Sequence, residues 1–481
     1  MNKCAKWFSF FTTKIQPFLD RKTFFVIYCG ASVILGCFAI PTFNILFSLA
    51  AFLLLTFYIL FSSGKYNLII ISFLLGSYFV LSNLGGSLSF HSLLFIVYIF
   101  KSLLSCLIDH KNLAPFFSIF FAFCLFAFYD FVVAFLHLAI ISLPSQVSFL
   151  FYIFFPFAAF ADTRSMKKLE IILLTMGISL LFHDLVSIPF LAIPQIKLNV
   201  FLVNFGAETG AQRADAYILF QSRFSGLFRD SNEFSLHIAI PCFSYILLMV
   251  PRKYSKLPLL IFVPCILFGF LSGSKSFILV FCLFVVMFMV VLVHRFGISI
   301  LAGICCVLGL VIAVLYFYNI DIIDSVFGRF FAGNGDFLEN ITTGRSDIWN
   351  LYVNNLFLNP GHLLFGYGAK ASYQILYLGE EPHNFYINLL FDFGIFGTLL
   401  YVIYFFLLFK TAHIKSNSLF ATFISWSPLV LFLVFAFGLT LTGSIIPHFF
   451  ALIQVLTLSQ EGELPKYKNE KNDIASMSVV I

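Results

Sequence analysis

Charge is scarce in this 481-residue sequence: Asp, Glu, Lys and Arg make up 10% of it, against about 25% in an ordinary soluble domain. With 61% apolar residues, that scarcity excludes a water-facing globular chain. The alternation of apolar and polar residues that marks an outer-membrane barrel is also missing. The apolar runs are continuous and reach the roughly 20 residues that a helix needs to cross a bilayer. Cysteine spacing of the metal-binding or disulfide kind is absent too. Cys29, Cys37, Cys106, Cys124, Cys242, Cys265, Cys282, Cys305 and Cys306 fall inside apolar runs, with Cys4 outside them, so they read as small apolar residues. No small-residue cleavage site follows the first apolar run, which starts at Thr23, and a removable signal peptide is therefore not expected. The net charge of +6 is spread in short basic clusters between runs, which is a topology signal and not a nucleic-acid footprint. What the chain has in excess is phenylalanine, 70 residues of it, more than a single core could hide but well suited to lipid.

The expected fold is all-α: a polytopic integral membrane bundle of about fourteen transmembrane helices. Spans are read at 23–40, 44–61, 67–83, 89–107, 114–141, 145–161, 170–193, 233–250, 257–273, 276–293, 298–318, 384–409, 419–439 and 443–459. The N-terminal stretch carries Lys3, Lys6, Lys14, Arg21 and Lys22 and is assigned to the cytoplasm by the positive-inside bias. Alternating from there, the cytoplasmic connections carry Lys65, Lys101 and Lys111, then Arg164, Lys167 and Lys168, then Arg252, Lys253 and Lys256, then Arg295, then Lys410 and Lys415. Every even-numbered exit is basic, as an N-in, C-in chain requires. This divides the sequence into N-terminal helices (1–193), a first long periplasmic loop (194–232), central helices (233–318), a second long loop (319–383), C-terminal helices (384–459) and a cytoplasmic tail (460–481). The two long loops, expected to contain short helices, are the places to look for chemistry.

The first loop ends Arg223-Phe-Ser-Gly-Leu-Phe-Arg229-Asp230-Ser231-Asn232-Glu233. Asp230 or Ser231 can cap the following helix, with Glu233 completing a capping box. Capping leaves Arg223 and Arg229 unexplained, because cations beside a helix N-terminus are unfavourable unless an anion lies near. The turn Leu271-Ser-Gly-Ser-Lys275 puts a cation on the outer side, where it either snorkels to lipid phosphates or meets a substrate. In the second loop Arg345 opens a segment in which Ile348, Leu351, Tyr352 and Leu356 recur at helical spacing, a short amphipathic helix with another cation at its start. The loop closes at Pro382-His383-Asn384. His383 can take a proton near neutral pH, as activation of a hydroxyl requires, or can serve as a plain polar boundary residue. Inside the spans, Asp130, His137, His183, Asp184, His237, Asp392 and His448 need partners or water. Asp130 and the His183-Asp184 pair keep open a rival of another class, an ion-coupled transporter or flippase, although no inverted repeat is visible.

Taken in order, Phe228-Arg229-Asp230-Ser-Asn232-Glu-Phe, Ser272-Gly-Ser-Lys275, Gly344-Arg345 with Trp349, Asn359-Pro, Gly366-Tyr-Gly368, His383-Asn384 and Phe393-Gly-Ile-Phe-Gly397 resemble the O-antigen ligase/polymerase superfamily of bacterial membrane glycosyltransferases. The resemblance covers roughly residues 223–400. Relatives commonly carry Arg where this chain has Lys275, and lysine keeps the charge without the bidentate fork. The resemblance implies transfer of a glycan from an undecaprenyl-diphosphate carrier to a hydroxyl acceptor at the periplasmic face of the inner membrane. A polymerase uses another lipid-linked repeat unit as acceptor, and a ligase uses lipid A–core; the chain's resemblance to the divergent, phenylalanine-rich polymerases favours the polymerase. It further implies catalytic roles for His383, Arg345 and Arg229, and substrate binding by Arg223, Lys275, Asn232 and Asn384. No metal or cofactor is expected. A chain-length regulator and a flippase are the implied protein partners.

Overall fold

The computed structural model describes residues 15–37, 45–77, 90–108, 114–137, 143–162, 166–192, 224–228, 231–249, 257–299, 345–369, 382–412, 418–438 and 445–460. Helices account for nearly all of them, and no strand occurs among the described residues. After one turn at Gln16–Leu19 come α1 (Lys22–Cys37), α2 (Ile45–Phe61), α3 (Asn67–Gly76), α4 (Phe90–Ile108), α5 (Ala114–Leu136), α6 (Leu143–Asp162) and α7 (Met166–Ala192). They are followed by α8 (Ser231–Met249), α9 (Leu257–Leu271), α10 (Lys275–Phe296), α11 (Arg345–Leu358), α12 (Pro360–Phe365), α13 (Phe385–Ala412), α14 (Leu419–Phe435) and α15 (Ile446–Ser459). Among the described residues, six helices are long and apolar enough to cross a membrane, and seven shorter apolar helices accompany them. The chain is thus an all-α membrane protein. The span read at 298–318 lies almost wholly outside the described residues.

Two helices form the axis of the bundle. Every side chain of α15 from Ile446 to Leu458 is buried, as is nearly every one of α8. A helix that is apolar all round has no water-facing side and must sit inside protein or lipid. Around this axis α7 packs on α3, α8 and α9, α5 on α13, α4 on α6, and α14 on both α10 and α15. The outer helices turn large apolar side chains to lipid, among them Phe128 and Phe135 of α5 and Val286 of α10.

Polar groups within this apolar mass answer specific backbone needs. Pro428 lies inside α14 and deprives the Ile424 carbonyl of its usual N–H donor. The Ser427 hydroxyl donates to that carbonyl at 2.7 Å. The side-chain amide of Gln454, from α15, then enters the loosened turn: Leu429 N–H donates to its oxygen at 3.1 Å, while its Nε2 donates to the Ser425 carbonyl at 2.9 Å. An unpaired backbone group in lipid costs several kcal/mol, so these two side chains make the proline tolerable.

A second construction shapes one end of the bundle. Gly366, Gly368 and Gly394 all have positive φ, at 75°, 99° and 60°. Backbones cross here: Tyr367 N–H donates to Phe391 O at 3.0 Å and Gly368 N–H to Asp392 O at 2.7 Å. A methyl group on Gly366 would overlap the Asp392 and Phe393 backbone, and one on Gly394 would overlap that of Leu364 and Gly366. The Tyr129 hydroxyl of α5 clamps the crossing by donating toward Phe365 O at 2.6 Å and Phe393 O at 2.8 Å. Gly397 leaves room for the Tyr129 ring.

Candidate functional site

Four sequence-distant segments meet at one end of the bundle. The first is Phe224–Phe228, which has no helix of its own. Phe224 N–H donates to Leu271 O at 2.9 Å, tying the segment to the last turn of α9, and Phe224 packs on Phe268.

The second is the turn that follows α9. Gly273 takes φ 58°, and Ser272 Oγ accepts from Ser274 N–H at 3.2 Å. Ser274 then caps α10 by accepting from Phe277 N–H at 3.3 Å. Lys275 is therefore the first residue of α10, half-buried, with its ammonium group carried by a helix N-terminus. The dipole there disfavours a cation and favours an anion.

The third segment is the start of α11, whose first residue is Arg345. Trp349 lies one turn further along the same face, and its indole N–H donates to Pro382 O at 2.7 Å. That bond joins the third segment to the fourth, Pro382–Asn384. Tyr352 and Leu356 are the buried face of α11; Tyr352 meets Phe391 edge-on with ring centres 4.8 Å apart. Leu351, assigned with them to the apolar stripe, is instead exposed. Ile348 and Tyr352 already fill the narrow seam against α13, so Leu351 turns away.

His383 is half-buried and has φ 45°, the one positive φ on a non-glycine residue among those described. A side-chain-bearing residue in this region costs about 1–2 kcal/mol, and surrounding contacts must hold it there. Two of them flank it: Trp349 on Pro382, and Asn384, whose Oδ1 accepts from Tyr386 N–H at 3.0 Å and Ile387 N–H at 3.2 Å to cap α13. Capping thus occupies the Asn384 oxygen.

The fourth segment closes the circuit back to the second. Tyr386 donates to Leu433 O at 2.8 Å and packs on Phe437. The next residue, Gly438, lies so close to the Ser276 hydroxyl that a methyl group there would overlap it. Lys275 precedes Ser276 in the chain. Lys275, Arg345, His383 and Asn384 thus belong to one connected end of the fold. Asn232 lies in the first turn of α8, half-buried, where its carbonyl accepts from the Ser235 hydroxyl at 2.8 Å. Arg223 and Arg229 lie outside the described residues, as does Asp230, one of the two expected caps. Among the described residues no group of three or more His, Cys, Asp or Glu side chains is gathered as a metal site.

The polar residues noted inside the spans separate into distinct surroundings. Asp130 is fully buried and faces the Ala369 backbone N–H and the Gln146 amide, which places it under the Gly366–Ala369 crossing. His448 is ringed by Phe149, Tyr401 and Phe405. His237 Nδ1 lies 2.8 Å from Glu233 O. Helix α5 ends at Leu136, so His137 falls just past it and not within the span as read. His137 packs against His362, which stacks on Tyr367 at 3.8 Å; burial and the neighbouring His362 lower its pKa. Nothing in the sequence brings these three rings together, because they are joined only by tertiary packing.

The fold is that of a multi-pass, all-α membrane protein in which Lys275, Arg345, His383 and Asn384, among the described motif residues, are linked at one end. Residues 260–402 match the family model described as O-antigen ligase, and this bears out the resemblance to the O-antigen ligase/polymerase superfamily. The match runs from α9 through much of α13 and contains Lys275, Arg345, His383 and the glycine crossing; the Phe224–Glu233 stretch lies before it. The chain matched neither a curated protein nor a solved structure.

Proposed function

We propose that this protein is an O-antigen polymerase that joins undecaprenyl-diphosphate-linked oligosaccharide units at the periplasmic face of the inner membrane. The observation that carries this reading is the single connected end formed by Lys275, Arg345 and His383. Two cations at helix N-termini belong to the same linked set of segments as a histidine held in a strained backbone conformation. In the proposed reaction the acceptor hydroxyl oxygen attacks the anomeric carbon of the donor glycan. The bond from that carbon to the diphosphate oxygen breaks, the electron pair leaves with the diphosphate, and His383 takes the hydroxyl proton. Lys275 and Arg345, with Arg229 and Arg223 from the first loop, receive the charge growing on the leaving group. Asn232 and Asn384 bind substrate hydroxyls. The reading carries with it about fourteen spans, both termini in the cytoplasm, the two long loops outside, and a flippase and a chain-length regulator as partners.

A second reading, ligation to lipid A–core, is favoured by the description of the matching family model. Both are tested by the lipopolysaccharide banding pattern of a deletion strain. Core bearing one repeat unit identifies the polymerase; bare core with accumulated lipid-linked polymer identifies the ligase; an unchanged ladder refutes both and returns the transporter. In the complemented strain Arg345→Ala and His383→Ala are each expected to lower chain extension about 100-fold or more, with the protein inserted and abundant. Reporters at Asn334 and Lys415 are expected on opposite sides of the membrane.

A further inference from the structure

His183 and Asp184 are both fully buried in α7. The backbone N–H of Leu227 donates to His183 Nε2 at 3.0 Å. A backbone N–H can only donate, so Nε2 is the unprotonated nitrogen and the ring proton of the neutral imidazole resides on Nδ1. Nδ1 lies 3.2 Å from Asp184 Oδ1, the acceptor that this tautomer needs. Both ring nitrogens are thus committed, one to orienting the imidazole and one to holding a segment 44 residues further along.

The segment is shaped to be held. Gly226 has φ 53°, and a methyl group there would overlap the imidazole and crowd the Ser187 hydroxyl. Phe228 presents its ring to the imidazole at 4.7 Å, with Phe234 of α8 behind at 5.6 Å. The other end of the segment is bound to Leu271 O through Phe224 N–H, beside the turn that carries Lys275. Residues 224–228 are therefore fastened at two points, to α7 by an imidazole and to α9 by a carbonyl.

We propose that His183 is a positioning residue: by accepting the Leu227 N–H, and held by Asp184, it fixes the Gly226–Phe228 turn against the Leu271–Lys275 turn and so shapes the transfer site. The role at the transfer site rests on the glycan-transfer reading; the latch itself does not. Ser225 is buried in the docked segment and serves as reporter. In purified full-length protein in detergent, Ser225→Cys is expected to react slowly with N-ethylmaleimide above the background of the native cysteines. Adding His183→Leu is expected to raise that rate about tenfold, as an orphaned buried N–H implies, and to shorten the polymer ladder in cells at unchanged protein abundance. His183→Gln, whose side-chain oxygen can replace Nε2 as acceptor, is expected to restore both within about threefold.

An unchanged labelling rate in His183→Leu overturns the latch whatever the ladder shows. Faster labelling with a normal ladder overturns the positioning role. Failure of His183→Gln to recover either readout, in a protein that remains abundant, overturns the assignment of Nε2 as the acting acceptor. If Arg345→Ala builds a normal ladder the glycan-transfer reading fails, while the labelling comparison still reports the latch.

Discussion

Helix α5 shows two sets of rules on one element. On its outer side Phe117, Phe128 and Phe135 are about 70% exposed. On its inner side Phe126 is buried against Phe393, Tyr129 clamps two carbonyls at the glycine crossing, and Asp130 lies beneath Ala369. The outer side asks only for apolarity, since lipid tails pack against any aliphatic or aromatic group. The inner side asks for particular atoms at particular distances. The chain as a whole divides in the same way, with its exposed phenylalanines obeying the first rule and its short motifs the second.

The comparison can be broken most sharply at the crossing itself. Gly366→Ala and Gly394→Ala put a methyl group into backbone and demand a positive φ of an L side chain. A loss of about 2–4 kcal/mol is expected, read as a fall in thermal-unfolding midpoint in detergent together with loss of polymer. A normal midpoint in either variant would mean that the two backbones do not cross as described.

A smaller effect is expected at Trp349. Phenylalanine keeps the ring but removes the N–H, leaving Pro382 O short of a donor at a cost of about 1 kcal/mol. Chain extension is expected to fall several-fold while abundance holds, because the bond steadies His383 and not the bundle. Unaltered extension in Trp349→Phe would detach α11 from the site.

The smallest effect is expected on the lipid side. Phe128→Leu and Phe135→Leu, alone or together, are expected to change stability by no more than about 0.5 kcal/mol and to leave the ladder unchanged. A marked loss of either would show that this face meets a protein partner.

The helical architecture was legible because its cause is local. Long apolar runs with few charges have one solution in lipid, and each span announces itself without reference to the others. Helix α11 could be read in the same way, from the recurrence of Ile348, Leu351, Tyr352 and Leu356, but which of these pack against α13 and which, like Leu351, stay exposed is not a property of the α11 sequence. Arg345, Lys275 and His383 were visible as chemistry without an address. His183 and Asp184 were visible too, but as two polar residues in an apolar run they suggested ion transport; nothing near them in sequence points to Leu227.

By itself, then, the sequence determined that the chain is an all-α membrane protein, which of its residues can carry charge or a proton, and that residues 260–402 are similar to the O-antigen ligase family. Composition, periodicity and short motifs are sufficient for those, because lipid imposes the same requirement on every span. Tertiary structure alone decided that the Lys275 turn, the start of α11, Pro382–Asn384 and the Phe224–Phe228 segment share one end of the bundle. It also decided that three glycines exist to let two backbones cross and that a buried histidine holds a loop. Those are contacts between residues tens to hundreds of positions apart, and they come into being only when the helices pack.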